Sequence, residues 1–448
     1  MIVGDGAPIS KARSVQNCPM PPSLPLSSTP DRHDSREAAR GTRSEDSGRA
    51  APPRLTSVDA LRGFDMAWIL GAGPLVQSFA RINRNAVTVF LDEQFEHVRW
   101  EGFHFYDLIY PLFVFLVGVS IVFSFDRKRS AEPRSVLIGR ILRRGFLLYI
   151  LNFIFNGGFS AHWPNMRVAS GVLAMIAAAY VIAALLYLFF AERLKILAGI
   201  TLALLLGYWA LLGLTPFPDF HLDKATVERL AAQAGSHSPG AIAAMVPERI
   251  SGVYEEGRNL SNYVDFRVIP GRMLDVYYEN QGVLSPLPAA AVCLMGIFAA
   301  RLLKSTSIER RRKVLVLALA GFVAIGLGVL WGIEFPIVKK LWSSSYCLVS
   351  GGGSALLLAI FYLVVDVWEW RGWCQPFVWI GMNPITLYVL SAVVDFRGIA
   401  SRLVGGDVQD FLNRSLPGSG LALSSLTALL LVVLLARFLY QRKIFLRV

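Results

Sequence analysis

The stretch Glu96–Pro111, EHVRWEGFHFYDLIYP, concentrates ionisable and aromatic side chains at the edge of a long apolar run. His97 is the group there that can take and return a proton near neutral pH, which is what a general base must do. Asp107 falls a few residues into the apolar run, where a carboxylate is costly unless it is paired or faces a polar cavity. Each also has a plainer reading: an interfacial histidine without a task, and an aspartate that ties one helix to its neighbour.

Other polar groups sit at spacings that matter. Asp59 and Arg62 are three residues apart and would meet on one helix face as an ion pair. Arg140, Arg143 and Arg144 also share a face. They can snorkel to a membrane surface or, with the basic run 301–313, receive the phosphates of an anionic cofactor. In GMNPITLY, 381–388, Asn383 needs polar partners and Pro384 removes a backbone donor from an otherwise apolar segment. Gly351, Gly352 and Gly353 would let a second helix or a long ligand approach closely. The sequence holds no Walker loop, GxGxxG, CxxC or HExxH, so no metal site is expected.

These residues must be positioned by a chain that is 54% hydrophobic and 17% charged, where soluble domains carry about 25% charged residues. Uncharged runs such as 284–300 and 419–436 would expose apolar surface all round in water, so lipid is their solvent. The pattern predicts an all-α membrane protein, a polytopic helical bundle of about ten transmembrane helices. They fall at 57–79, 105–125, 136–156, 168–190, 194–214, 284–303, 314–332, 341–365, 376–395 and 419–440, with Ser57 capping the first. Residues 1–53, rich in Pro, Ser, Arg and Gly, predict a disordered cytoplasmic tail ahead of a membrane domain over 54–448. Cys18, Cys293, Cys347 and Cys374 lack zinc-like spacing, and three of them fit as small hydrophobes in or beside apolar segments.

The net charge of +12 is spread through short loops, a pattern of membrane topology rather than of nucleic-acid binding. Arg127, Lys128, Arg129, Arg134, Arg193, Lys195, the 301–313 run, Arg442, Lys443 and Arg447 all fall on one side if the N-terminus is inside. Lys339 and Lys340 are the exception on the other side. Both termini are then cytoplasmic, and the segments 80–104 and 215–283 face outward. The second is too long for a simple turn. Its Tyr254, Asn259, Asn262, Tyr263, Asp265, Tyr277, Tyr278 and Glu279 predict an ordered, functional region.

At these residues the sequence resembles the heparan-α-glucosaminide N-acetyltransferase family, in particular its bacterial branch. The matching stretches are SVDALRGFDMAWILG (57–71), EHVRWEGFHFYDLIYPLFVFLVGVSI (96–121) and MRVASGVLAMIAAAYVIAAL (166–185). They continue as NLSNYVDFRVIPGRM (259–273), QGVLSPLPAAAVCLMG (281–296), FPIVKKLWSSSYCLVSGGGSALLLAIFYLVVDV (335–367) and GMNPITLYVL (381–390), in family order. The resemblance implies a transmembrane acyltransferase-like fold and acetyl-CoA, taken from the cytoplasm, as co-substrate. The acetyl group would go to nitrogen or oxygen of an amino sugar or glycan on the periplasmic face of a bacterial inner membrane.

His97 matches the histidine of the family's H-x-x-W-[NE]-G motif, with Trp100 and Gly102 in place, which implies a catalytic base or acetyl carrier. Asp107 and Asn383 match further family positions and are implied as site architecture, to which Trp100, Asp265 and Glu279 are added. Asn383 and Trp100 are candidate donors to a thioester oxyanion, and Arg62, Arg140, Arg143 and Arg144 candidate holders of the cofactor's phosphates. Departures fall at Tyr278–Gly282, where the family has an acidic DPEG pattern, at Pro286 in place of threonine, and near Met175 in place of arginine. They bear on the acceptor rather than on the fold.

The expected partners are acetyl-CoA, the acceptor and the bilayer, with a homodimer left open and nucleic acid not expected. The rival reading is a proton-coupled transporter or flippase of a sugar-like substrate, with His97, Asp107 and Asp59 as its proton path. Under the enzyme reading, His97, Asp107 and Asn383 should converge on one cavity that opens toward Arg143 and the 301–313 loop.

Overall fold

A computed structural model describes residues 55–129, 131–163, 165–168 and 171–445. The expected tail at 1–53 and Cys18 lie outside the described residues. The chain opens with α1 (Thr56–Ala67), which passes through a π-helical turn, Trp68–Ala72, into α2 (Gly73–Ile82) and then α3 (Ala86–Gln94). Next come α4 (Phe105–Arg129), α5 (Arg134–Phe155), α6 (Val172–Phe190) and α7 (Leu194–Leu214).

The segment 215–283 is ordered. Strand β1 (Phe217–Pro218) pairs antiparallel with β2 (Arg249–Ile250) around α8 (Lys224–Ala234) and α9 (Pro239–Ala244). A second pair, β3 (Tyr254–Glu255) with β4 (Arg258–Asn259), leads into α10 (Leu260–Val268). Phe220, Leu222, Val227, Leu230, Ile242, Phe266 and Tyr278 give this region an apolar core of its own.

The bundle resumes with α11 (Pro286–Lys304), α12 (Arg310–Trp331) and α13 (Ser344–Phe361), the last extended by a π-helical stretch, Tyr362–Val367. It closes with α14 (Gln375–Gly381), α15 (Pro384–Val393), α16 (Phe396–Val404), α17 (Asp407–Ser415) and α18 (Ser419–Gln441).

Among the described residues, seven helices are long and apolar enough to cross a membrane: α4, α6, α7, α11, α12, extended α13 and α18. They become eight if α14 and α15, bent by 78°, form one broken span. This is the expected all-α polytopic architecture, with physical reasons for the fewer uninterrupted spans. At 57–79 the helix is broken where Gly71 adopts φ 143°, a conformation open to glycine and strained for other residues. Helix α5 forms where expected but carries Arg134, Arg140, Arg143 and Arg144. At 376–395 Pro384 starts a new helix, and Asn383 before it leaves the helical region at φ −134°, ψ 46°, as a residue preceding proline tends to do.

Small residues bring the helix axes together. A Cβ on Gly118 would lie 1.9 Å from the Cys293 carbonyl oxygen, and one on Gly296 1.9 Å from that of Phe115, so α4 and α11 touch backbone to backbone. The α1–α14 contact is made the same way, with Gly381 against Asp59 O. Gly351, Gly352 and Gly353 face Met295, Gly321 and Leu108. Their work is helix packing, which serves lipid-solvated bundles in place of a hydrophobic drive between helices. Cys293, Cys347 and Cys374 are free and buried, as small hydrophobes.

Candidate active site

Asp107 sits in the first turn of α4, where the helix dipole and unpaired amides favour a carboxylate. Its Oδ2 accepts from His104 N at 3.1 Å and from Val98 N at 3.4 Å, so the side chain folds the preceding loop onto the helix end. Its Oδ1 lies 2.9 Å from His97 Nδ1. The carboxylate is fully buried while the His97 side chain is 55% exposed. A buried acid therefore holds one ring nitrogen, and the other is left for solvent or substrate. With Nδ1–H donating to Asp107, Nε2 is the lone-pair nitrogen, the tautomer a general base needs. The ring also packs against Tyr106, centroids 4.8 Å apart, which fixes its plane.

Sequence reasoning missed the third member. Lys339 Nζ lies 3.0 Å from Asp107 Oδ1, 2.9 Å from His97 Nδ1 and 3.5 Å from Nε2. Burial pushes its ammonium below the ordinary lysine value, against the pull of Asp107. Its placement comes from backbone. Glu101 and Val338 form a β-bridge, and Gly102 N donates to Ile337 O at 2.9 Å. Gly102 holds φ +126° there, which accounts physically for the glycine of H-x-x-W-x-G. In the sequence Lys339 stood out only as a cation on the side of the membrane where few were expected.

His97 and Lys339 line a cavity of about 220 Å³ together with Gln281, Tyr106, Tyr110 and Tyr388. Its remaining wall is aliphatic and aromatic, including Met66, Phe113 and Ile176. The size suits an acyl group and the head of an acceptor better than a whole nucleotide, since drug-sized ligand pockets run from about 300 Å³ upward. Tyr110 OH donates to the Val172 carbonyl at 3.0 Å and so braces the wall.

Asp265 and Glu279 support this cavity from behind. Buried Asp265 accepts from Val283 N at 2.9 Å and from Glu279 N at 3.3 Å, bracketing the turn that carries Gln281. Burial outweighs those two amide bonds and lifts its carboxyl to about 7. Glu279 Oε1 accepts from Leu274 N at 3.0 Å. Trp100 is not among the residues that line the cavity; its Nε1 donates to Tyr254 O at 2.8 Å, joining the His97 loop to the 215–283 region.

The expected convergence is partial. His97 and Asp107 meet, but Asn383 is held elsewhere, its Nδ2 donating to Ile444 O at 2.9 Å. Arg62 donates to Ser120 Oγ at 2.9 Å and to Gly381 O at 3.3 Å, and it pairs with Asp59 at 3.2 Å. Asp107 and Ser120 are thirteen residues apart on α4, about 20 Å at 1.5 Å per residue. Arg144 lies over the Tyr180 ring at 4.8 Å, Arg140 pairs with Glu132 at 2.7 Å, and Arg143 is exposed. Among the described residues no arginine lines the cavity.

Comparison with known proteins gives the same direction as the motifs. Residues 54–216 match the family model described as heparan-alpha-glucosaminide N-acetyltransferase, catalytic. The human protein named heparan-alpha-glucosaminide N-acetyltransferase is 25% identical over 375 residues, 76% of this chain and 53% of that protein. The mouse protein of the same name is 27% identical over 337 residues, 67% of this chain and 49% of that protein. The chain thus spans about half the length of the curated relatives it matches. The matched model covers α1 to α7 and so includes His97 and Asp107, while Gln281 and Lys339 come from beyond it.

Proposed function

We propose, taking the chain as a heparan-alpha-glucosaminide N-acetyltransferase-like membrane protein, that it transfers an acetyl group from acetyl-CoA to the amine of an amino sugar or amino-sugar-ended glycan. The observation that carries this reading is His97, held at Nδ1 by buried Asp107 and placed at the wall of a small cavity. A thioester is already activated. The protein must supply a base for the acceptor and hold the two reactants together.

In this mechanism the acceptor amine lies against Nε2 and attacks the thioester carbon. The nitrogen–carbon bond forms as Nε2 takes the amine's proton. The carbon–sulfur bond then breaks, and the leaving thiolate takes that proton back as CoA thiol. Asp107 stabilises the imidazolium between the two steps. Nε2 is also the atom that would carry the acetyl group in a two-step route.

The donor is assigned to the cytoplasmic side and the acceptor to the periplasmic side of a bacterial inner membrane. That orientation is supported by the basic residues gathered at the end opposite His97: Arg129, Arg301, Lys304 and Arg310. The transporter reading is weaker, because Asp59 pairs with Arg62 well down the bundle from His97 and does not join it in one polar path.

Purified full-length protein in detergent, given acetyl-CoA and a panel of amino sugars, should release CoA thiol only with an acceptor present. His97→Ala should lower that rate by about 10²–10⁴-fold. Equal release by wild type and variant would overturn the assignment.

A further inference from the structure

An acyl transfer that builds a tetrahedral intermediate needs hydrogen-bond donors where the carbonyl oxygen becomes negative. The two side chains that the sequence offered for this are occupied: Asn383 Nδ2 donates to Ile444 O and Trp100 Nε1 to Tyr254 O. Neither residue lines the cavity. We propose that Lys339 Nζ, together with the Gln281 side-chain amide, forms the oxyanion site for acetyl transfer. This rests on the acetyltransferase reading above and adds two catalytic residues to it.

Three observations support the assignment. Lys339 is the lysine or arginine that lines the cavity, and Gln281 lines the same cavity. The donor count leaves capacity to spare: with Nδ1–H of His97 donating to Asp107, the ammonium has Asp107 Oδ1 at 3.0 Å and the Nε2 lone pair at 3.5 Å as acceptors for two N–H groups and keeps a third. The spacing also fits. Nζ lies 3.5 Å from Nε2, so one tetrahedral carbon can present its attacking nitrogen to Nε2 and its oxygen to Nζ, both near 3 Å.

Lys339 is 16% exposed, so its charge acts through a poorly solvated site, where electrostatic stabilisation is strongest. The backbone that carries Gln281 is held, because Asp265 accepts from the amides of Glu279 and Val283 on either side of it. During the step the carbonyl's π electrons move onto oxygen as the nitrogen–carbon bond forms. Lys339 and Gln281 stabilise that oxyanion without giving up a proton. The electrons return as the carbon–sulfur bond breaks, so both donors end as they began.

The test uses full-length protein in detergent, wild type beside Lys339→Met, Lys339→Arg, Gln281→Leu and His97→Ala. It measures kcat and KM for acetyl-CoA, and the binding of a ketone analogue in which methylene replaces the thioester sulfur. Lys339→Met should lose about 10²–10³-fold in kcat, the loss expected for one oxyanion donor, while KM and analogue affinity stay within about threefold. Lys339→Arg should recover part of the loss, and Gln281→Leu should lose about tenfold in kcat alone.

A Lys339→Met kcat within about threefold of wild type overturns the proposal. So does a loss of analogue binding in parallel with kcat, which would mean that Lys339 only props Asp107. If Lys339→Met does not fold, an unchanged kcat in Gln281→Leu overturns it instead. Failure of the acetyltransferase reading looks different: wild type and His97→Ala then release CoA at the same rate, whatever Lys339 does.

Discussion

Helix α4 carries a carboxylate near each end, and the two live in opposite circumstances. Asp107 stands at the N-terminal end, where the helix dipole already favours a negative charge. Asp126 stands near the C-terminal end, where the dipole opposes it. Asp126 is therefore surrounded by compensation: Tyr187 OH donates to it at 2.6 Å, Lys304 pairs with it, and Arg301 lies 3.9 Å away. Asp107 is stable with two backbone amides, and so its Oδ1 can be spent on His97 and Lys339. Charges at one end are locked into a structural cluster. At the other end Asp107 holds an imidazole and an ammonium side by side at the wall of the cavity.

Substitutions at the two carboxylates would break or sharpen this contrast. Asp107→Asn should cost on the order of 10²-fold or more in kcat, because the ring loses its orientation and tautomer. The check is steady-state CoA release on protein that still elutes as a single species. Asp126→Asn should leave kcat within about threefold and instead remove about 1–3 kcal/mol of stability, read as a lower melting midpoint in detergent. If Asp126→Asn proves as inactive as Asp107→Asn, the division between a structural end and a chemical end is wrong.

A smaller effect concerns Asp265, behind the cavity. Its carboxyl is raised by burial to about 7 from an ordinary 3.8. The folded protein therefore binds a proton that the unfolded chain releases near pH 4. Stability from this group is present below about pH 4 and is lost as pH climbs toward and through about 7. Melting midpoints across that window should fall by a few degrees for wild type. Asp265→Asn, which cannot ionise, should flatten the dependence.

The parts of the fold that follow from local chemistry were legible in the sequence. Long apolar runs gave the helices. The separation of His97 and Asp107 by ten residues left them near enough along the chain for one motif to hold both. Lys339 was not legible, because it reaches His97 from 242 residues away and no periodicity in either stretch encodes the bridge between them. Asn383 joins the expected site through its match to a family position, and as a polar residue in an apolar run it needs partners. Ile444 O answers that need at Nδ2, while Oδ1 is buried without a hydrogen-bond partner among the described residues. Arg140, Arg143 and Arg144 share a face of α5, yet Arg140 and Arg144 find different neighbours, while Arg62 has the Asp59 partner its spacing predicts. Spacing on one helix does not say which helix lies opposite.

The main-chain joint between Glu101–Gly102 and Ile337–Val338 has a consequence for tolerance to change. Lys339 is registered against His97 by amides and carbonyls, so exchanging the side chains of Glu101 or Ile337 leaves the alignment in place. Gly102 is different. A Cβ there would meet Val98 Cγ1 at 3.3 Å and would sit on a backbone at φ +126°. The alignment of Lys339 with His97 is robust at most of the positions that build it and brittle at one that has no side chain at all.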